Sequence, residues 1–159
     1  MANFGSFCLL FALCLSAYAF IAALLEAVQK QGRFIRSAER AVYASAGSVI
    51  LAFLSLLYLH LANDFSVSHV AETSSREAPV FYKIAAIWGA HDGSMLLWVF
   101  FTAAICAVVV YQNRRRFRDM MPFVIAVLML DLSFFLALNI FLSNPFDRLI
   151  QAFADGTVQ

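Results

Sequence analysis

The sequence predicts an all-α integral membrane protein with about four transmembrane helices and a short amphipathic helix on the outer surface. Hydrophobic residues fill 63% of its 159 positions and charged residues 13%, whereas soluble domains carry about a quarter charged residues. The chain lacks the alternation of apolar and polar residues that marks the strands of an outer-membrane barrel. Helices are therefore the expected spanning elements.

Four segments are long and apolar enough to cross a bilayer, because about 20 residues at a rise of about 1.5 Å each span its core. The first segment lacks the basic start of a signal peptide and is interpreted as a mature helix. All of residues 1–159 are interpreted as a single membrane domain. The helices are expected at residues 4–28, 41–61, 84–111 and 122–142.

Two short loops carry most of the basic residues and fix the expected topology. Under the positive-inside rule both loops lie in the cytoplasm, so both termini and the loop 62–83 face outward. The net charge of +1 and the absence of a solvated basic footprint argue against nucleic acid as a partner. The loop residues are Lys30, Arg33, Arg36, Arg40, Arg114, Arg115, Arg116 and Arg118.

The segment after the fourth predicted helix changes character at Pro145. Asn144 precedes this proline and is therefore biased away from helical geometry, which ends the spanning helix. Residues 145–154 then predict a short amphipathic helix on the outer leaflet, with Phe146 and Leu149 on its apolar face.

The outer end of the third predicted helix gathers aromatic, polar and small residues, which we name the tryptophan surface. Residues three or four apart share a helix face, and the two glycines form a GxxxG step that permits close helix approach. Two interpretations remain open: an interfacial aromatic belt, or a face that docks a planar aromatic ligand or a partner carrying one. The surface comprises Trp88, Gly89, His91, Asp92, Gly93, Ser94 and Trp98.

The string PVFYKIAAIWGAHDGSMLLW, with DFSVSHVA before it and LSNPFDRL after it, resembles the N-terminal region of the CcmF family. These proteins are the membrane haem lyases of cytochrome c maturation, and the related lyases for nitrite reductase assembly share the combination. The resemblance covers nearly the whole chain in order and spacing. It implies a multi-pass protein of the bacterial inner membrane with both termini in the periplasm. It also implies three partners: a haem chaperone, an apocytochrome c and the remaining part of the lyase.

Two family segments are missing from the sequence: the tryptophan-rich WGGWWxWDPVE type and the FHPPLLY type, which carries a haem histidine. The resemblance thus implies the first four helices of a larger lyase, whose haem ligands lie outside this chain, and no catalysis by this chain alone. His91 belongs to the family's WGAH(D/E)GS motif without being a haem ligand there. His60 and His69 match no ligand motif, so structural or interfacial roles are expected for all three.

Asp131 lies near the centre of the fourth predicted helix. An ionised carboxylate at that depth costs at least about 2.5 kcal/mol, so it requires a proton, a partner or a wet interior. Pairing with another helix and a proton relay remain open. A small transporter or channel component built around Asp131, or a non-catalytic helix scaffold, is therefore the alternative to the lyase.

The remaining polar and small residues are expected to have structural roles. The cysteines lie in apolar runs without metal-ligand spacing, so they are interpreted as packing residues and no metal site is predicted. Glu26 is expected to form a solvated pair with Lys30, four residues later. Small residues of the second helix are expected to form a tight packing face. The cysteines are Cys8, Cys14 and Cys106, and the small residues of the second helix are Ser45, Gly47, Ser48 and Ser55.

Overall fold

The computed structural model describes residues 2–30, 32–62 and 91–146. All four helices in these ranges are long and apolar enough to cross a membrane, which confirms the all-α membrane class. Apart from Pro145 and Phe146, the predicted amphipathic helix lies outside the described residues. The helices are α1 (Ala2–Gln29), α2 (Ile35–Leu61), α3 (His91–Asn113) and α4 (Met121–Phe141).

The largest difference from the predicted boundaries is at the start of α2. This helix begins at Ile35, six residues before the predicted start at residue 41. The basic residues Arg36 and Arg40 are exposed there, whereas Ala38 is fully buried. A helix can therefore extend beyond the bilayer core when one face packs on the protein and the other meets water. The predicted residues 84–90 of the third helix lie outside the described ranges.

The four helices form a bundle in which sequence neighbours pack side by side. Helix α1 packs most extensively against α2 and also against α4, while α3 contacts both α2 and α4. A smaller contact joins α2 and α4 across the bundle. The short connections after α1 and after α3 make each of these helix pairs antiparallel and place the two basic loops at the same end.

Small side chains form much of the bundle interior. Lipid tails are as apolar as leucine, so helices in a bilayer associate through close van der Waals packing, which small residues permit. Ala19 and Ala23 of α1 and Ala52 of α2 are fully buried. The predicted packing face of small residues on α2 is largely present, because Ser45, Ser48 and Ser55 are buried. Gly47 is the exception, since a Cβ atom placed there would meet nothing within 4 Å.

The loop between α1 and α2 is held by Glu26, and the predicted solvated pair with Lys30 is wrong. The Glu26 side chain is only 5% exposed. Its two carboxylate oxygens accept hydrogen bonds from the backbone N–H groups of Gly32 and Phe34, the latter at 2.9 Å. Gly32 has φ +70°, a left-handed conformation that glycine adopts readily, and this turn brings the donors back to the end of α1.

The segment after α4 folds back onto the beginning of α1. Helix α4 ends at Phe141, close to the predicted end, and the Asn144 side chain accepts a hydrogen bond of 3.1 Å from the backbone N–H of Phe146. The Phe146 side chain is 3% exposed and packs against Gly5. A Cβ atom at Gly5 would lie 2.8 Å from Cδ1 of Phe146 and would overlap Cε1 and Cζ. A larger residue at position 5 would therefore require this ring to move.

Candidate functional site

The structure describes part of the predicted tryptophan surface. Trp88 and Gly89 lie outside the described residues, and His91 and Asp92 form the first turn of α3. Of the other members, Gly93 is buried and Ser94 is half-buried.

Trp98 gives the described part of this surface its apolar character. Its side chain is 65% exposed, and with Leu97 and Phe101 it lines an apolar hollow of about 280 Å³. An exposed indole in the N-terminal third of a spanning helix suits the interfacial belt and a docking face equally well. The docking role of the tryptophan surface stays a prediction.

Asp131 lies at the middle of α4 and faces outward from the bundle. Its carboxylate interacts electrostatically with Cys106 of the neighbouring helix α3. Every lysine and arginine within residues 2–30, 32–62 and 91–146 lies in or beside the two basic loops. An ionised Asp131 therefore lacks a basic neighbour at its own depth in this part of the chain.

A pair of serines joins α1 to α4 inside the bundle, a contact that sequence reasoning missed. The Ser16 hydroxyl donates to the Leu13 carbonyl oxygen at 2.9 Å, and its oxygen lies 2.9 Å from Oγ of Ser133. Ser133 Oγ is also 2.6 Å from the Met129 carbonyl oxygen. Because residues 16 and 133 are 117 positions apart, helical spacing carried no signal for this pair.

Asn139 is a second polar residue that sequence reasoning missed. Its side chain is fully buried in the last two turns of α4. Both of its polar atoms are without a hydrogen-bond partner among the residues that the structure describes. An amide within an otherwise apolar run was the sequence signal that could have identified it.

The described side chain of His60 does not fit a haem ligand. Haem iron takes axial ligands such as histidine, whose ring nitrogen must reach the iron at the centre of the porphyrin. His60 is fully buried, with its Nδ1 3.1 Å from the Leu56 carbonyl oxygen, so packed side chains cover its ring. His69 lies outside the described ranges. Within these ranges no three His, Cys, Asp or Glu side chains form a group that could hold a metal ion.

Comparison with known proteins finds relatives along nearly the whole chain, although no family model matches it. The chain is 34% identical over 152 residues to the cytochrome c-type biogenesis protein ccl1 of Rhodobacter capsulatus, covering 96% of this chain and 23% of the relative. It is 40% identical over 106 residues to CcmF of Escherichia coli, covering 67% of this chain and 16% of the relative. NrfE of Haemophilus influenzae is 34% identical over 155 residues, covering 96% of this chain and 24% of the relative.

The arrangement of the helices agrees with that in a solved structure of a cytochrome c biogenesis protein. The protein named cytochrome c heme lyase CcmF superposes with a TM-score of 0.84 at 29% identity, covering 92% of this chain and 24% of that one. The chain thus spans a quarter or less of the length of the relatives it matches. The agreement in sequence and in helix arrangement shows that the chain belongs to the CcmF family of cytochrome c-type biogenesis proteins.

Proposed function

We propose that this chain is the N-terminal four-helix unit of a CcmF-type haem lyase acting in cytochrome c maturation. The complete lyase takes haem from a haem chaperone and joins it covalently to an apocytochrome c. The observation that carries the proposal is the superposition on a CcmF haem lyase over 92% of the chain. Because that match covers 24% of the solved protein, the activity is assigned to the complete lyase and not to these helices alone.

Within the lyase, the four helices serve as a framework and as part of the outer surface. The haem ligands are proposed to lie outside this chain, in keeping with the buried ring of His60. The tryptophan surface, with Trp98 exposed at its edge, is the proposed contact for the haem chaperone or for the lyase core. Cytochrome c, the chaperone and the remaining lyase are thus its proposed partners.

The exposed position of Asp131 supports the proposal that further helices of a larger protein surround this unit. An ionised carboxylate facing hydrocarbon costs at least about 2.5 kcal/mol, so a partner outside the four helices is expected to cover it. Asp131 points away from the bundle interior and does not line a path between these helices. This placement favours a contact within a larger protein over the transporter alternative.

The proposed orientation in the bacterial inner membrane has both termini in the periplasm. Its support is the location of both basic loops at one end of the bundle. It can be tested by replacing Cys8, Cys14 and Cys106 with alanine, adding one cysteine at position 33, 91 or 115, and labelling intact cells with an impermeant maleimide. Position 91 should react from outside and positions 33 and 115 should not. The opposite pattern would refute the orientation.

A replacement experiment tests the lyase role. The segment of the Escherichia coli CcmF that aligns with this chain is deleted, and this chain is supplied in its place. Covalently bound haem in cytochrome c, measured by haem staining of denaturing gels, should return. A matched control supplies an unrelated four-helix membrane segment with the same topology. Equal staining with the control, or none with this chain despite normal membrane insertion, would contradict the proposal.

A further inference from the structure

A groove of about 990 Å³ opens where the two basic loops meet at the end of the bundle. One part of its wall comes from the end of α1 and the start of α2, and the other from the loop between α3 and α4. Volumes of this size are typical of small-molecule sites, which range from about 300 to 1,000 Å³. The two basic loops thus border an open groove of the size of a small-molecule site.

The charges on the groove wall favour an anion. Five cations and three carboxylates line it, so the wall carries two net positive charges. One carboxylate, Glu26, is already occupied by the backbone N–H groups of the first loop. The cations are Lys30, Arg36, Arg114, Arg115 and Arg118.

One of these cations lies against an aromatic ring. The guanidinium carbon of Arg114 lies 5.0 Å from the centre of the Tyr111 ring. A guanidinium placed in this way needs less ordering when it binds a phosphate oxygen.

The rest of the wall is apolar, which distinguishes a lipid from a free anion. Five apolar residues share the groove with the charged ones, and the side chain of Phe123 is 59% exposed. Inorganic phosphate has no apolar part that could contact such a wall. The glycerol and upper acyl carbons of a phospholipid would cover it. The apolar residues are Ala27, Ile35, Met121, Pro122 and Phe123.

We propose that this groove binds the phosphate headgroup of one anionic phospholipid from the cytoplasmic leaflet. Basic pockets between membrane helices on the cytoplasmic side are suited to such headgroups, and each lysine or arginine near the surface contributes about 1 kcal/mol. The bound lipid would join the two loops and fix the end of the bundle. The site depends on the fold and the orientation, and it does not depend on the lyase activity.

The chain itself supplies a matched pair of variants for the test. Arg36→Gln with Arg118→Gln removes two cations of the groove, and the side chains of both are exposed. Arg33→Gln with Arg116→Gln removes one cation from each of the same loops, but these residues do not line the groove. Both double variants lower the net charge equally, so only the groove itself distinguishes them.

The measurement is the apparent Kd of fluorescent phosphatidylglycerol for the full chain in detergent, with phosphatidylcholine as the neutral comparison. We expect the groove variant to bind phosphatidylglycerol about 30-fold more weakly, from two arginines at about 1 kcal/mol each. The control variant and Arg36→Lys with Arg118→Lys should stay within about threefold of the native chain. Circular dichroism verifies that each variant keeps its helices.

Other outcomes overturn the proposal. Equal weakening in both double variants would mean general attraction to the basic loops. Unchanged binding in the groove variant would place the lipid elsewhere. Displacement of the lipid by inorganic phosphate at comparable concentration would make the groove a free-anion site.

Discussion

The packing of Phe146 on Gly5 predicts that Gly5→Ala destabilises the bundle. Alanine is ordinarily the better helix residue, by about 1 kcal/mol over glycine. At position 5, however, the added methyl group would lie 2.8 Å from Cδ1 of Phe146 and would overlap two other ring carbons. The ring must then move, because normal carbon contacts are about 3.5 to 4.0 Å.

The size of the effect follows from these opposing contributions. Overpacking typically costs about 1 to 3 kcal/mol. After the gain of about 1 kcal/mol in helix propensity, a net loss of up to about 2 kcal/mol in unfolding free energy is expected. In a Phe146→Ala background the obstruction is gone, so the same substitution should stabilise by up to about 1 kcal/mol.

The assay is SDS-induced unfolding in mixed micelles, followed by the helical circular dichroism signal. Gly47→Ala is the matched control, because glycine 47 is also helical but a Cβ atom there meets nothing within 4 Å. That substitution should stabilise by about 1 kcal/mol. If Gly5→Ala stabilises as much as Gly47→Ala, Phe146 does not pack where the structure places it and the reasoning is refuted.

Three further substitutions test the interior and the proposed function. Ser133→Ala should cost about 0.6 kcal/mol in the same assay and nothing further when Ser16 is already alanine, whereas additive losses would exclude the α1 to α4 bond. Asp131→Asn in the complete lyase should leave holocytochrome c near its normal level, and a lost solute flux would instead support the transporter alternative. His91→Ala should lower cytochrome c maturation, measured by haem staining, while the haem absorbance of the purified lyase persists. Loss of that absorbance would make His91 a haem ligand.

The spanning helices and the basic loops could be predicted because each depends on local sequence. A run of about 20 apolar residues can satisfy its backbone in a bilayer only as a helix, and the charges that flank it set its direction. The helix ends were predicted less accurately. Helix α2 begins at Ile35, six residues before the predicted start, because packing of Ala38 extends the helix beyond the apolar run.

The contacts between distant residues could not be predicted. The Ser16 and Ser133 pair and the Gly5 and Phe146 pair each join α1 to the other end of the chain, and no periodicity links them. The four-residue spacing of Glu26 and Lys30 predicts an ion pair on one helix face. The turn at Gly32 instead delivered backbone donors to the carboxylate, which a helical pattern does not show.

Copurification with haem tests the central claim most directly. The tagged chain is expressed alone and together with the remaining part of a CcmF-type lyase, purified in detergent, and examined for the partner and for haem absorbance. We expect the chain alone to carry no haem, and the two parts together to copurify in equal amounts with haem bound. Failure of the two parts to associate, or one haem per chain in the chain purified alone, would contradict the account.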